Sequence, residues 1–369
     1  MIMGRIFLPE GRPAAVAQIV GNAQLGGVVS CLLNYYWYVD KSKYRFDFIT
    51  YGPSQFDESV CRIDGNARIH YIAPFDGATC FKAASQLKNI LKRGNYAIAH
   101  SHLTTLSAFA LPAAKKAGVP VRICHAHSTF DRQSDHHTVK AILRPFAARC
   151  ATHLMACGKL AAENLYGKRA DEAYILPNAI DLEHFSPNAG NKSALGLHGR
   201  TALFVGRFAN QKNLFFLLDA FEKASEREDL TLVLVGSGPQ ERELRDYAAR
   251  LNAGSAVRFV PPCDPAPYYA AADVFCLPSL YEGFPVVGVE AQAAGLPCLF
   301  SDKITREAGL CGDNAFLPLD AEVWAGEMLR PREKTAAPAQ ILREKHFDIR
   351  REAENLTKFY GAALDGVRV

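Results

Sequence analysis

Two glutamates eight residues apart, Glu282 and Glu290, flank the run Gly283-Phe284-Pro285-Val286-Val287-Gly288-Val289. An acidic pair at this spacing is ordinarily a solvated surface feature. The apolar stretches Phe284 to Val289 and Ala291 to Ala294 argue otherwise, because a solvated helix would not be so apolar. Proline is well tolerated in a first helical turn, so Pro285 is expected to begin a helix that follows a buried strand. The free N–H groups of Val286, Val287 and Gly288 would then face a phosphate, aided by the positive end of the helix dipole. Glu290 lies more than one turn into such a helix. It is too deep for the phosphate site and suits a neutral hydroxyl pair such as a ribose, so the two carboxylates need different tasks.

Arg207 and Lys212 follow the apolar run Ala202 to Val205. Taken alone they would be surface charges; held in place, they supply the positive charge that a departing diphosphate requires. Gly26 and Gly27 stand between an apolar run, Val16 to Val20, and a helical pattern, where missing side chains let the backbone approach a phosphate. Gly236-Ser237-Gly238 is a lone G-x-G with Glu241 where a dinucleotide fingerprint would carry its third glycine. It reads as a tight turn between strand and helix, with ligand contact left open.

Histidines gather at His100, His102, His125, His127, His136 and His137. His100/His102 and His125/His127 are i, i+2 pairs at expected strand ends, so each pair shares one face. Metal binding, a structural role and a place in a cleft are all open to them. No carboxylate or cysteine completes a zinc set, so no metal is expected.

These residues need a scaffold, and the second half of the chain supplies a clear pattern. Strand-like runs at Ala202 to Val205, Thr231 to Val235, Val257 to Val260 and Val274 to Leu277 alternate with helical ones such as Leu214 to Ala224 and Glu241 to Leu251. The first half repeats the theme with Val16 to Val20, Val28 to Tyr38, Phe46 to Thr50, Ile69 to Ile72, Phe81 to Leu91, Ala97 to Ala99, Leu106 to Lys116 and Val121 to Cys124. Strand and helix in alternation imply parallel, doubly wound sheets. The expected architecture is α/β, with two Rossmann-like domains, residues 1–187 and 188–346, facing across a cleft that receives the ligands. A helix within 347–369, with apolar spacing at Leu356, Phe359, Tyr360 and Leu364, is expected to pack back across the domains.

Composition sets outer limits. A chain of 369 residues, 49% hydrophobic and 22% charged, is long enough for two domains and is not disordered. No run approaches the roughly 18 apolar residues of a membrane span, and no secretory signal is apparent, so a cytoplasmic location is expected. The ten cysteines, without C-x-x-C pairs, read as reduced core residues. Residues 1–187 carry 21 Lys and Arg against 14 Asp and Glu, a net +7; the remainder carries 21 against 24, a net −3. Lys82, Lys88, Lys92, Arg93, Lys115, Lys116, Lys140, Arg144 and Arg149 account for much of that bias. They form either a solvated face or a surface that docks on anionic lipid at the inner face of the membrane. No nucleic-acid motif accompanies them, and no nucleic-acid partner is expected.

The segment Glu282 to Glu290, continued by Ala291-Gln292-Ala293-Ala294-Gly295-Leu296-Pro297, closely resembles the E-x7-E region of retaining GT-B glycosyltransferases of family 4. The likeness extends to Phe204-Val205-Gly206-Arg207-Phe208-Ala209-Asn210-Gln211-Lys212-Asn213 and to Leu234-Val235-Gly236-Ser237-Gly238-Pro239, in the family's order. It covers the second half well and the first half loosely. The resemblance implies retaining transfer of a hexose-type sugar from a nucleoside diphosphate, a UDP-sugar, to an acceptor hydroxyl. It is nearest to enzymes of capsular or exopolysaccharide synthesis, where the acceptor is a glycan, often lipid-linked.

The same resemblance places the donor against Arg207, Lys212, Gly283, Phe284, Pro285, Val286 and Val287. Gly26 and Gly27 lie against the diphosphate, Glu290 on the ribose and Glu282 on the donor sugar. The segment Val121-Arg122-Ile123-Cys124-His125 is similar to a strand whose final histidine faces the reacting sugar, which selects His125, with His127 as the second choice. No D-x-D is present to hold a metal on the diphosphate, so neither a metal nor a cofactor is expected. The chain departs from the family pattern at Val260-Pro261-Pro262-Cys263-Asp264-Pro265, where related chains commonly have a glycine and a basic residue. Competing readings are a GT-B-fold sugar-nucleotide epimerase and a non-catalytic nucleotide-sugar-binding protein. An NAD-dependent oxidoreductase would need the complete glycine fingerprint that neither half supplies.

Overall fold

Runs that are apolar on both faces, such as Leu-Thr-Leu-Val-Leu-Val at 230–235, form strands that must be covered on both sides, as in parallel sheets layered with helices. The computed structural model describes residues 12–24, 26–127 and 137–366. Seven parallel strands build one sheet: β1 (Ala14–Gly21), β2 (Tyr44–Thr50), β3 (Arg68–Tyr71), β4 (Ile98–Ser101), β5 (Val121–Ala126), β6 (His153–Ala156) and β7 (Tyr174–Ile175). Six build the other: β8 (Arg200–Val205), β9 (Leu230–Val235), β10 (Val257–Val260), β11 (Val274–Leu277), β12 (Cys298–Ser301) and β13 (Asn314–Leu317).

The strand orders are β3-β2-β1-β4-β5-β6-β7 and β10-β9-β8-β11-β12-β13. Both are doubly wound, and each reverses direction at one point, between β1 and β4 or between β8 and β11. Ligands of open α/β sheets bind outside the carboxyl ends of the strands at that point. The strands β6, β7 and β13 carry no sequence signal strong enough to anticipate; each has four residues or fewer, and β13 is only half-buried along its length.

Helices bury one stripe each against these sheets. Leu214–Ser225 places Leu214, Leu217, Leu218 and Phe221 in the core of the second sheet at the i, i+3, i+4, i+7 spacing of a helix face. The C-terminal helix Ile349–Asp365 lies against the helix Gly27–Tyr38 and buries Leu356, Tyr360, Ala363 and Leu364.

The chain divides into two units. The first comprises residues up to Pro177 together with those from Ile349 onward; the second is Asn178–Asp348. The boundaries therefore fall at Pro177 and Asp348, where the sequence suggested 187 and 346. The Ile180 N–H donates to the Phe347 carbonyl at 3.1 Å and Asn178 Nδ2 to the Phe284 carbonyl at 2.7 Å, tying 178–187 to the second unit.

Among the described residues no disulfide joins the cysteines. Their expected place in the core is corrected for four: Cys61 and Cys263 are exposed, and Cys80 and Cys150 are half-buried. Among the described residues, no helix is long and apolar enough to cross a membrane.

Candidate active site

In the second unit the loops that leave β8 and β11 meet at the point of strand reversal. Arg207 opens the first loop and is exposed, with no ion-pair partner among the described residues. Lys212 and Glu282, 70 residues apart, form an ion pair with Nζ 2.5 Å from Oε1. Gln211 braces it, its Nε2 donating to the Tyr281 carbonyl at 2.8 Å and to Glu282 Oε2 at 3.3 Å. Glu282 is 8% exposed, so its charge needs this compensation.

The helix after Glu282 spans Val286–Ala293, with Pro285 as its N-cap residue in extended conformation. The expected start at Pro285 is thus one residue early. Gly288 N–H donates to the Pro285 carbonyl at 3.0 Å, which removes it from the amides offered to a phosphate. Val286 and Val287 retain theirs, since first-turn amides have no acceptor within the helix. Phe284 stacks on Phe347, centroids 5.4 Å apart, and Pro285 and Val286 are buried, so these residues can meet a ligand only through their backbone.

Glu290 stands apart from Glu282 and accepts a hydrogen bond from the Tyr269 hydroxyl at 2.9 Å. Burial pushes its carboxyl up to about 7, against the opposing pull of the Tyr269 hydrogen bond and of His184. Near neutrality it therefore changes between hydroxyl donor and double acceptor.

Sequence reasoning missed two residues here. Asn178, read as connector, holds the Phe284 carbonyl with its amide while its Oδ1 stays buried without a partner among the described residues. Ser279 is fully buried just beyond β11, and its Oγ also lacks a partner among the described residues. Such orphans are rare in native interiors and mark a place for a ligand or water. The only local signal was a polar residue beside proline in each case.

Gly236 and Gly238 prove to serve packing. At Gly236, φ is +144°, and a Cβ would sit 2.0 Å from the Gly206 carbonyl oxygen; at Gly238 it would sit 2.2 Å from that of Phe208. The loops after β8 and β9 touch backbone to backbone, with Phe208 N–H donating to the Ser237 carbonyl at 2.8 Å.

In the first unit, Gly26 is the N-cap of the helix Gly27–Tyr38, and both glycines are exposed. Among the described residues, a Cβ on Gly26 would meet nothing nearer than 3.9 Å. The two histidine pairs lie on adjacent strands β4 and β5, and the pairing stacks all four rings. Centroids are 4.3 Å apart for His100 and His102, 3.8 Å for His125 and His127, and 5.1 Å for His100 and His125. Burial drives all four imidazoles towards neutrality, His100 and His127 down to about 3 and the others well below their usual value, with repulsion among the rings adding at His100, His102 and His125. Gln18, in the middle of β1, and Tyr360, on the C-terminal helix, complete the network. His136 lies outside the described residues.

Nitrogens of His100, His102 and His125 come within 4.8 Å of one another, close enough to consider a metal. Both nitrogens of His100 and of His102 are already in hydrogen bonds, as is Nδ1 of His125, so a metal would have to displace the network.

Comparison with known proteins places this geometry. Residues 199–331 match the family Glycosyl transferases group 1, and residues 25–184 match Glycosyltransferase Family 4. The putative glycosyltransferase EpsF of Bacillus subtilis is 33% identical over 95% of this chain and 97% of its own length. The UDP-Gal:α-D-GlcNAc-diphosphoundecaprenol α-1,3-galactosyltransferase of Escherichia coli is 31% identical over 60% of this chain and 62% of its own. A crystal structure of Anabaena Alr3699/HepE in complex with UDP and glucose superposes with a TM-score of 0.79 at 17% identity, covering 95% of this chain and all of that one. With two doubly wound units, charged groups converging at the strand reversal of the second, and a relative matched over nearly its whole length, the chain belongs to the GT-B-fold glycosyltransferases of the group 1 and family 4 type.

Proposed function

We propose that this glycosyltransferase moves a hexose-type sugar, with retention, from a UDP-sugar to the hydroxyl of a lipid-linked glycan in exopolysaccharide or capsule synthesis. The observation that carries the reading is the convergence of Arg207, the Lys212–Glu282 pair and the Val286 and Val287 amides at the strand reversal of the second unit. As the bond from the sugar to the diphosphate breaks, negative charge grows on the leaving oxygens. Fixed cations and amides stabilise it without a metal. Lys212 carries three N–H donors and can keep Glu282 while reaching a phosphate. Glu282 then orients the donor sugar, Glu290 accepts from the ribose hydroxyls, Gly26 and Gly27 admit the diphosphate, and His125 faces the reacting sugar.

The names of relatives support the substrate class. The E. coli relative is named for UDP-Gal and a diphosphoundecaprenol-linked acceptor, and the Anabaena structure holds UDP and glucose. For the lipid-linked acceptor, the helix His137–Ala147 offers a docking face, with Val139, Ile142 and Phe146 exposed in helical spacing and Arg144 beside them.

The test is acceptor-dependent nucleotide release from a panel of nucleotide sugars with EDTA present, comparing the wild type with Glu282→Ala and Arg207→Ala. Loss in both variants is expected. Undiminished turnover in both removes the site assignment, and release without any acceptor removes transfer.

A further inference from the structure

With the Gln18 amide oriented as it stands and the Tyr360 hydroxyl donating to His100, the hydrogen bonds around the histidine stack define one arrangement of protons. Gln18 Nε2 donates to the Tyr360 hydroxyl at 3.2 Å, so that oxygen already accepts one hydrogen bond. Its single proton goes to His100 Nδ1 at 2.7 Å. A neutral His100 must then carry its proton on Nε2, which donates to His125 Nδ1 at 3.0 Å. His125 in turn holds its proton on Nε2, a buried N–H with no partner among the described residues.

A second branch starts at the other end of the same amide. Gln18 Oε1 can only accept, so His102 Nε2 carries a proton towards it at 2.8 Å. His102 Nδ1 is left as a lone pair and accepts from His127 Nε2–H at 2.8 Å. His127 Nδ1 is therefore an acceptor. The stack ends in two touching rings of opposite polarity, a donor on His125 and an acceptor on His127.

We propose that Gln18 and Tyr360 are positioning residues that set the tautomers of all four histidines, so that His125 offers an N–H and His127 a lone pair at the carboxyl end of β5. A buried N–H without a partner is costly, and a ligand oxygen relieves that cost. Tyr360 stands on the C-terminal helix, 260 residues from His100, which gives that helix a part in the chemistry of the unit beyond its apolar packing. The sugar oxygen as that ligand rests on the proposed function; the proton arrangement does not.

Nitrogen-15 spectra of histidine-labelled protein at pH 7.5 read the tautomer of each ring directly. His100, His102, His125 and His127 should all be neutral with the proton on Nε2. Tyr360→Phe removes the donor to His100 and should release His100 and His125 into mixed tautomers, while His102 and His127, held by Gln18, keep theirs. Gln18→Leu should release His102 and His127. A wild type in which His100 or His125 carries its proton on Nδ1 overturns the proposal even if neither variant folds, as does Tyr360→Phe with an unaltered pattern. Expected tautomers in a protein that transfers no sugar would sustain this relay and remove the proposed function.

Discussion

In the first unit the strand ends β4 and β5 carry four neutral imidazoles packed ring on ring, whereas in the second the loops after β8 and β11 carry Arg207, Lys212 and Glu282 beside two open helix amides. The strand order around the two reversal points is the same. Topology therefore fixes where each site lies and leaves its chemistry to the surroundings of the side chains. Where desolvation is complete, ionised groups are too costly and polarity is carried by tautomers held in hydrogen bonds. Where solvent reaches, as at Arg207, charge itself is available.

The largest effect expected from this contrast is acid lability of the first unit. Folding depresses the histidines from their ordinary 6.5, so their contribution to stability is complete above 6.5 and is lost as pH falls towards about 3. Each should cost about 1.4 kcal/mol per pH unit across that window. Denaturant titrations at pH 7.5, 6 and 5 should show a steep fall; a flat profile would mean that the stack accepts protons without unfolding.

Next in size, Arg207→Ala should lower transfer on the order of 100-fold while leaving the melting temperature in place, because Arg207 is exposed and, in the proposed site, acts on developing charge. Glu282→Ala should lower transfer similarly and also leave Lys212 unpaired, so its melting temperature should move. Equal melting shifts for the two would erase the distinction between a free and a paired charge.

A smaller effect of opposite sign to the first belongs to Glu290. Folding raises its carboxyl from 4.5 to about 7, so its stability contribution is complete below 4.5 and lost as pH rises through about 7. Nucleotide-sugar affinity should run the other way and tighten severalfold between pH 6 and 8, because in the proposed site the ionised carboxyl accepts from two ribose hydroxyls. Calorimetry should show that slope in the wild type and none in Glu290→Gln; a slope surviving in the variant assigns it elsewhere.

The smallest effect concerns the membrane. The double substitution Ile142→Asp and Phe146→Asp should reduce flotation with anionic vesicles, and rising salt should reduce it for the wild type, without altering transfer to a soluble acceptor. Indifference of the wild type to lipid charge removes this docking face.

Much of the second unit was legible because its signals are local. Leu230–Val235 and Val274–Leu277 announce buried strands, and Glu282, Pro285 and Glu290 belong to one turn and the helix it starts. The Lys212–Glu282 pair was not legible, since strand order alone brings the two together, and Asn178 passed for connector because its partner carbonyl is 106 residues away. In the first unit the faces of the histidine pairs followed from alternation, but their stacking required β4 to neighbour β5. Cysteine burial was legible only where the apolar run was strong: Cys276 and Cys298 are buried, while Cys263, among prolines, is exposed.

The sequence by itself determined the alternation of strand and helix, the family and the identity of the charged residues, because hydrophobic period and turn chemistry act over a few residues. Only the tertiary structure decided which charges are paired, which glycines separate two backbones, and that Gln18 and Tyr360 govern histidines on other strands. Those are contacts between segments far apart in the chain, and desolvation, which sets the protonation of Glu290 and of the histidine stack, exists only once they have packed.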